Sequence, residues 1–549
     1  MDQHNGIVHF QYRSKWWLPF FAPIIFLAIV VITPFAALIA GRPGGLDLGY
    51  VFGANPLGEL WQKALYNSLV QGVLGALTSM ALGFPLGVFL GRYRLRNGNI
   101  IRSLLILPFF LPSIVVVTAF ISTFGATSTL GTIFPGTRIF GTGLTGIVAV
   151  NTFFNAPLVA FLTSGAIEGT DMSLEESAAT LGSGRISSFW HIWGRNGMLA
   201  ALSGGLITFL YSFAGFTAPL VIGGPGNFTV EAWIYFVVKT LSDVNLAVTF
   251  SIMQSLILIA PVLLYLMTWS RERTVVVTGM RQRVREGIRG RFYVAGMAYL
   301  FAFLAMDALI LASMLVESLS NVQGGSMTLE GYRELFSGTI TGAFGIWPLL
   351  PFMNTIFYGV LTSLLVTLMG ALWITGKRRL RSKADDALDS AQFLPMVIPS
   401  VVMAFSISVV YGSTFPASLT WLLIIAVQSA VAIPVVLRII SAGFARIPEN
   451  LWEAAATLKG NAFFEVELPL AGSTVATALM FGFAISIGEF TATNFLSTYT
   501  FMPISVEIYQ LQYQRLVTAS YALGTILLVV SAISFYIIQK IGRGFETIR

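Results

Sequence analysis

The sequence lacks cysteine and is poor in charged residues. None of its 549 residues is a cysteine, so disulfides and thiolate metal sites are excluded. Only 10% of the residues are charged and 55% are hydrophobic, whereas a soluble domain carries roughly 25% charged residues. The three histidines (His4, His9 and His191) are too scattered in the sequence to suggest a metal cluster. A water-soluble fold is therefore excluded, and no metal site is expected.

Long apolar runs recur along the whole chain, and no polar stretch is large enough for a separate soluble domain. About 20 apolar residues are needed to cross the hydrocarbon core of a bilayer. Twelve such runs are centred near residues 28, 78, 112, 153, 210, 258, 304, 364, 401, 428, 483 and 528. The first, from about Trp16 to Ile39, is too long for a signal peptide and is expected to stay as a span. Because backbone groups in lipid must be paired within the segment, an all-α integral membrane fold with twelve helices is predicted.

The basic residues lie mainly on one side of this predicted topology. With the N-terminus inside, the inner segments hold 26 of the 32 lysines and arginines. Cytoplasmic loops collect lysine and arginine, so both termini are expected in the cytoplasm of a multi-pass cell-membrane protein. The net charge of +7 follows from this bias. No nucleic-acid partner is expected, because the basic residues lie in short loops beside the spans.

The chain contains an internal duplication. Asn67-Ser68-Leu69 recurs as Asn354-Thr355-Ile356 after 287 residues, and later Phe216-Thr217-Ala218 recurs as Phe490-Thr491-Ala492 after 274. An even number of spans per unit gives two parallel six-helix repeats, with a pathway expected where the halves meet. The predicted segments are an N-terminal segment with the first span (1–56), a first repeat core (57–270), a basic inner linker (271–291), a seventh span with an outer loop (292–350) and a second repeat core (351–549).

A short inner loop follows the fourth span of each unit and is predicted to be helical. Leu174, Ala178 and Leu181 fall on one face in the first loop, as do Leu451, Ala455 and Leu458 in the second. Each stripe is narrow, contains small residues and ends at a glycine. An exposed apolar stripe with alanines suits docking into a groove of another protein. The alternative is a helix lying on the lipid surface, whose glutamate merely favours the positive end of the helix dipole.

These loops resemble the coupling motif of binding-protein-dependent ABC transporter permeases, and the fused arrangement is similar to that of iron(III) and thiamine importer permeases. The resemblance covers both six-span units and implies the fold of a type I ABC importer permease. The residues matched to ATPase coupling are Glu176, Ala178, Leu181 and Gly182 in the first loop and Glu453, Ala454, Ala455, Leu458 and Gly460 in the second.

The resemblance further implies how such a chain works. The coupling helices would fit clefts on a dimer of separate ABC ATPase subunits, and an extracytoplasmic solute-binding protein would deliver a small solute. No Gly-x-x-x-x-Gly-Lys-Ser/Thr loop occurs in the chain, so ATP and Mg would be bound by the partner. The chain itself is expected to be neither an enzyme nor a cofactor-binding protein. The rival function is an ion-coupled secondary transporter, which also commonly has twelve spans in two parallel halves.

Polar residues inside the spans are candidates for the pathway. Glu489 in the eleventh span, with Thr491 beside it, is predicted to face the translocation interface and help pass a cationic solute, since an acid in hydrocarbon is a functional hypothesis by default. Its alternative role is a structural acid bonded to a backbone. Asn67 and Asn354 are expected to form interhelical hydrogen bonds. Four prolines are expected to kink the third and ninth spans: Pro108, Pro112, Pro395 and Pro399.

Overall fold

Every regular element that the structure describes is a helix. The computed structural model describes residues 18–40, 56–93, 95–126, 128–168, 177–178, 180–184, 187, 189–278, 290–320, 327–336, 349–380, 392, 394–412, 414–444, 447, 451 and 468–544. The predicted all-α membrane fold is therefore confirmed.

The described residues of the first half form ten α-helices. They are α1 (Leu18–Leu27), α2 (Thr33–Ala40), α3 (Pro56–Arg92), α4 (Gly98–Phe110), α5 (Ser113–Phe124), α6 (Thr129–Ile133), α7 (Gly143–Glu168), α8 (Arg195–Phe213), α9 (Val230–Phe236) and α10 (Val244–Thr278). A π-helical turn, Ala28–Ile32, joins α1 to α2, and further π segments occupy Phe189–Gly194, Pro219–Gly223 and Val237–Leu241.

The second half, as far as the structure describes it, has eleven α-helices. They are α11 (Arg291–Ser318), α12 (Glu330–Phe336), α13 (Leu349–Leu380), α14 (Leu394–Val397), α15 (Ser400–Tyr411), α16 (Thr420–Phe444), α17 (Leu468–Leu470), α18 (Gly472–Gly488), α19 (Thr491–Leu496), α20 (Ile504–Tyr513) and α21 (Val517–Gly544).

Nine helices in the described part of the chain are long and apolar enough to cross a membrane, or ten if one bent pair is a single span. The bent pair is the third predicted span: its segments Ile100–Phe110 and Ser113–Phe124 meet at 96°. Pro112 stands at this break, and Pro399 likewise precedes α15 in the ninth span. Proline cannot donate the next helical hydrogen bond, which explains both breaks. The ninth and eleventh spans are short helices, so the count of twelve crossings and the segment boundaries stay predictions.

Three helices form the centre of each half. In the first half α3 packs along α7, and α8 packs against both. In the second half α13, α16 and α18 pack in the same way. The equivalent helices follow the offsets seen in the sequence, so the duplicated sequence builds a duplicated three-helix core.

The first span of each half packs on the opposite half. Helix α1 contacts α13 and α2 contacts α15, where the Tyr411 hydroxyl donates to the carbonyl of Ile29 at 3.0 Å. Conversely α11 contacts α3 and α5, and the Tyr299 hydroxyl donates to the carbonyl of Leu82 at 2.8 Å. Each half therefore packs its first span against helices of the other half.

Candidate coupling loop and translocation interface

The first coupling loop ends in a left-handed turn that presents a leucine to solvent. The N–H of Leu181 donates to the carbonyl of Ser177 at 3.2 Å, and the N–H of Ser183 donates to that of Ala178 at 3.0 Å. Gly182 has a φ of 79°. Helices often end in this left-handed conformation, which glycine adopts readily because it has no Cβ. Ala178 is half-buried, whereas Leu181 is 87% exposed. An apolar side chain thus protrudes at the tip of this loop.

The start of this loop is fixed to the helix core by an ion pair. Glu168 is the last residue of α7, and its carboxylate pairs with the guanidinium of Arg102 on α4. The same guanidinium donates to the carbonyl of Leu90 at 2.7 Å. Because both side chains are largely shielded from water, this pair is held more firmly than a surface ion pair. It ties the loop to α3 and α4 together.

The C-terminal end of the loop also contacts α3. The π segment Phe189–Gly194 brings Trp193 into the core, where it is 4% exposed. The guanidinium carbon of Arg92, the last residue of α3, lies 5.8 Å from the Trp193 ring centre, which permits a cation–π contact. A force on the loop would thus reach the inner end of α3 from both sides.

Most predicted coupling residues lie outside the described residues. These are Glu176, Glu453, Ala454, Ala455, Leu458 and Gly460. Their role in coupling stays a prediction. Of the second loop, Leu451 is described and is exposed.

Two equivalent phenylalanines meet where the halves join. Phe216 and Phe490, related by the offset of 274, have ring centres 5.9 Å apart. Equivalent residues of two repeats can touch each other only beside the axis that relates the repeats. The flanking contacts are repeated as well: Phe216 packs on Tyr235 at 5.3 Å, and Phe490 packs on Tyr509 at 5.7 Å. These four residues, Phe216, Tyr235, Phe490 and Tyr509, form an aromatic cluster that fills the junction of the halves on the pseudo-twofold axis.

Glu489 lies next to this axis, but at a helix break rather than within a helix. Helix α18 ends at Gly488, and the Glu489 carboxylate accepts the N–H groups of Ala492 (2.8 Å) and Thr493 (2.9 Å) at the start of α19. The Thr493 hydroxyl donates to it as well, at 2.6 Å. Only 8% of Glu489 is exposed. The carboxylate is thus bonded to a helix start, which is the structural role weighed as the alternative; the structure leaves its pathway role a prediction.

A buried amide extends this polar network. The Gln428 side chain donates to the Thr493 hydroxyl at 3.0 Å and accepts a hydrogen bond from Thr362 at 3.1 Å. Thr493 therefore joins α16 to the Glu489 carboxylate. Thr491, the other predicted pathway residue, is the half-buried first residue of α19.

The sequence analysis missed Glu231, a second acid at the interface. It lies in the first turn of α9 and is 0% exposed. Neither of its carboxylate oxygens has a hydrogen-bond partner within the described residues. Tyr235, one turn after Glu231, packs on Phe216, whose ring contacts Phe490 next to Glu489 of the other half. The available signal was an acid in the otherwise apolar run from Val230 to Val238.

Asn67 and Asn354 form matching contacts between helices and connections. The Asn67 amide donates to the carbonyls of Gly226 (3.3 Å) and Phe228 (3.1 Å). The Asn354 amide donates to those of Thr500 (3.0 Å) and Met502 (2.9 Å), which are the equivalent positions. Both asparagines thus form long-range hydrogen bonds as expected, but their partners are backbone carbonyls of connecting segments rather than groups on neighbouring spans.

A cavity of about 230 Å³ lies between the halves on the predicted outer side. Lys239 lines it from the first half, and its ammonium lies 4.8 Å from the ring centre of Phe495 in the second half. Partial burial lowers the pKa of this ammonium. In the described part of the chain, no group of three or more His, Cys, Asp or Glu side chains is arranged to hold a metal ion.

The fold and the repeated contacts agree with the comparison to known proteins. The family model described as "Binding-protein-dependent transport system inner membrane component" matches residues 83–275 and 367–543. The chain belongs to this family. Its two matches, one per half, confirm the fused duplication and decide between the two functions left open: this is an ABC transporter permease, a membrane component rather than an enzyme.

Curated relatives include proteins of similar length. The putative ferric transport system permease protein FbpB 1 of Haemophilus influenzae is 26% identical over 466 residues, which are 79% of this chain and 70% of that protein. The thiamine transport system permease protein ThiP of the same organism is 24% identical over 516 residues, covering 88% and 89%. A probable molybdenum ABC transporter permease protein of Haloferax volcanii is 28% identical over 214 residues, covering 38% and 76%.

Proposed function

We propose that this chain is the membrane permease of an ATP-driven importer for a small cationic solute, iron(III) or thiamine. A separate pair of ABC ATPase subunits binds ATP and Mg, and an extracytoplasmic binding protein delivers the solute. Both termini lie in the cytoplasm. Relatives named as ferric and thiamine permeases span most of the chain, and both of those solutes are cations.

Charge at the interface favours a cation over an oxyanion such as molybdate. Glu231 and Glu489, one from each half, are both buried beside the Phe216–Phe490 contact. In a site shielded from water a carboxylate repels anions strongly. Glu489 and Thr491 are proposed to border the route, which the Phe216–Phe490 contact closes in this conformation.

The observation that carries the coupling mechanism is the anchored loop with its exposed leucine. Leu181 protrudes 87% exposed from a loop whose two ends are tied to α3 and α4. ATP binding would draw the two coupling loops together, and the helix cores would follow as rigid bodies because packed interiors respond by hinge or shear. The halves would then part at the aromatic cluster and open outward.

The coupling role is tested by placing charge on both loop tips. The double variant Leu181→Asp with Leu458→Asp is expected to reduce co-purification of the ATPase about tenfold or more, because a buried apolar anchor carries much of the energy of an interface. ATP-driven uptake should fall with it. The matched control is Ile139→Asp, an equally drastic change at an exposed residue of the predicted outer loop. Undiminished ATPase association in the double variant would remove the proposal.

A further inference from the structure

Glu231 is a buried carboxylate to which the coupling mechanism above assigns no binding role. It is 0% exposed, and within the described residues both of its oxygens are without hydrogen-bond partners. Tyr235, one turn later on α9, packs on Phe216, and Phe216 packs on Phe490 beside Glu489, so both acids flank the same aromatic cluster. Carboxylates that share a junction shielded from water disfavour each other's ionised form unless a cation lies with them. The arrangement is therefore unfavourable for the empty protein and favourable for a bound positive charge.

The duplication shows that the helix start that carries Glu231 does not require an acid. At the offset of 274, the equivalent of Glu231 is Ser505 and the equivalent of Glu489 is Gly215. Ser505 is buried in the corresponding place at the start of α20, so the same helix start folds without an acid. Each half supplies one acid from a different position, and the fold places both beside the aromatic cluster at the junction. The requirements of the repeated helix start therefore do not account for Glu231.

The surroundings suit a cation that passes through. Tyr235 stands one turn after Glu231 on α9, so both side chains lie on one face. Tyr235 packs on Phe216 and Phe495, and Phe216 packs on Phe490. Aromatic faces stabilise organic cations, and carboxylate oxygens stabilise both organic and metal cations. Transport requires binding that is weak enough to release the solute. A site with only two carboxylates meets this requirement, because it offers fewer ligands than a site that stores a cation.

We propose that Glu231 and Glu489 together form a cation-binding site at the junction of the halves, through which the imported solute passes. This inference rests on the proposed function and extends it by naming Glu231 as the second anionic group. The shared chemistry is a positive charge held by two carboxylates from opposite halves.

The test uses the full chain with its ATPase and binding protein in proteoliposomes, with radiolabelled iron(III) loaded on the binding protein, thiamine and molybdate as separate probes. Glu231→Gln and Glu489→Gln each keep the shape of the side chain and remove its charge. Each is expected to lower uptake of the cationic probe about tenfold or more, because a desolvated charge contact is lost. The double variant should be little worse than either single variant, because the two acids act as one site.

A stability measurement separates transport from structure. Glu231→Gln should leave the thermal midpoint in detergent unchanged or raise it, because Glu231 has no hydrogen-bond partner to lose among the described residues. Glu489→Gln should lower it, because the carboxylate that caps α19 is weakened. The matched control is Asp307→Asn on α11, another buried acid whose oxygens have no partner within the described residues. Its cation uptake should stay at the wild-type level.

The outcomes separate this inference from the proposed function. Wild-type uptake of iron(III) or thiamine by Glu231→Gln would overturn the site while leaving the importer intact. ATP-dependent uptake of molybdate alone by the unchanged chain would also overturn it. Uptake by the unchanged chain without ATP or the ATPase would instead overturn the proposed function.

Discussion

At the scale of single residues, two asparagines hold the matching connections of the two halves, each within its own half. Each donates two hydrogen bonds to backbone carbonyls about 150 residues further along the chain. A neighbouring hydroxyl completes the pattern: the N–H of Val230 donates to Ser68 at 3.0 Å, and the N–H of Ile504 donates to Thr355 at 2.9 Å. Irregular backbone is tolerated at membrane depth only where such partners exist.

Replacing either asparagine by alanine should therefore destabilise the protein. Asn67→Ala and Asn354→Ala are each expected to lower the free energy of unfolding by about 1–2 kcal/mol, because two carbonyls lose their donor. Equilibrium unfolding in mixed micelles measures this. Tyr358→Phe is the milder control, because it removes only the hydroxyl that donates to the carbonyl of Phe501. It should lower the free energy of unfolding by about 0.6 kcal/mol. Equal stability of the asparagine variants and the wild type would contradict the assigned role.

Some of these residues could be predicted from the sequence, and others could not. Asn67 and Asn354 were recognisable because they recur at a fixed offset inside apolar spans. Their partners were not, since a backbone carbonyl carries no sequence signal. Glu231 was missed for a related reason: it is 258 residues from Glu489 in the chain, and the two acids flank the same aromatic cluster only after folding.

At the scale of elements, a row of glycines lets α3 and α7 approach each other closely. Gly83, Gly87 and Gly91 recur every four residues, and a Cβ added to any of them would meet α7 at less than 3.0 Å. At Gly87 it would lie 2.5 Å from the Cβ of Thr163 and 2.6 Å from the carbonyl oxygen of Ala160. Small residues at such intervals are the usual means of close helix packing in lipid.

Gly87→Ala should consequently destabilise the first half. The expected loss is about 1–3 kcal/mol, because the added methyl group meets a backbone oxygen that cannot move alone. The matched control lies on the partner helix: a Cβ at Gly165 would meet nothing within 4 Å. Gly165→Ala should be neutral or stabilise by up to about 1 kcal/mol through helix propensity. The prediction fails if both variants unfold at the same denaturant concentration as the wild type.

Hydropathy predicted the positions of the helices better than it predicted where they break or end. The proline pair Pro108 and Pro112 predicted a kink, and the third span is indeed broken. The shortness of α15 and α18 was not predicted, because a window of about 19 residues averages over the point where a helix ends. The end of α18 at Gly488 places Glu489 at a helix start, where its carboxylate finds N–H donors.

At the scale of the whole molecule, the halves are joined by more than the linker between them. The first span reaches across to α13 and α15, and the seventh reaches back to α3 and α5. The family match begins at residue 83 in one half and at residue 367 in the other, so both crossing spans lie outside the matched cores. The sequence predicted two parallel units but gave no indication of this exchange, because hydropathy does not identify the neighbour of a span.

A chain cut between Thr278 and Gly290 should therefore still assemble. Fragments 1–278 and 290–549, co-expressed in one membrane with a tag on the first, are expected to co-purify, since packed helices associate in lipid without a covalent link. Replacing residues 18–40 of the first fragment by a polyleucine span keeps the number of crossings but removes the specific contacts with α13 and α15. Recovery of the second fragment should then fall clearly below that with the native first span. If the polyleucine fragment retained its partner equally well, the exchanged first span would not be what holds the halves together, and the junction at Phe216 and Phe490 would have to suffice.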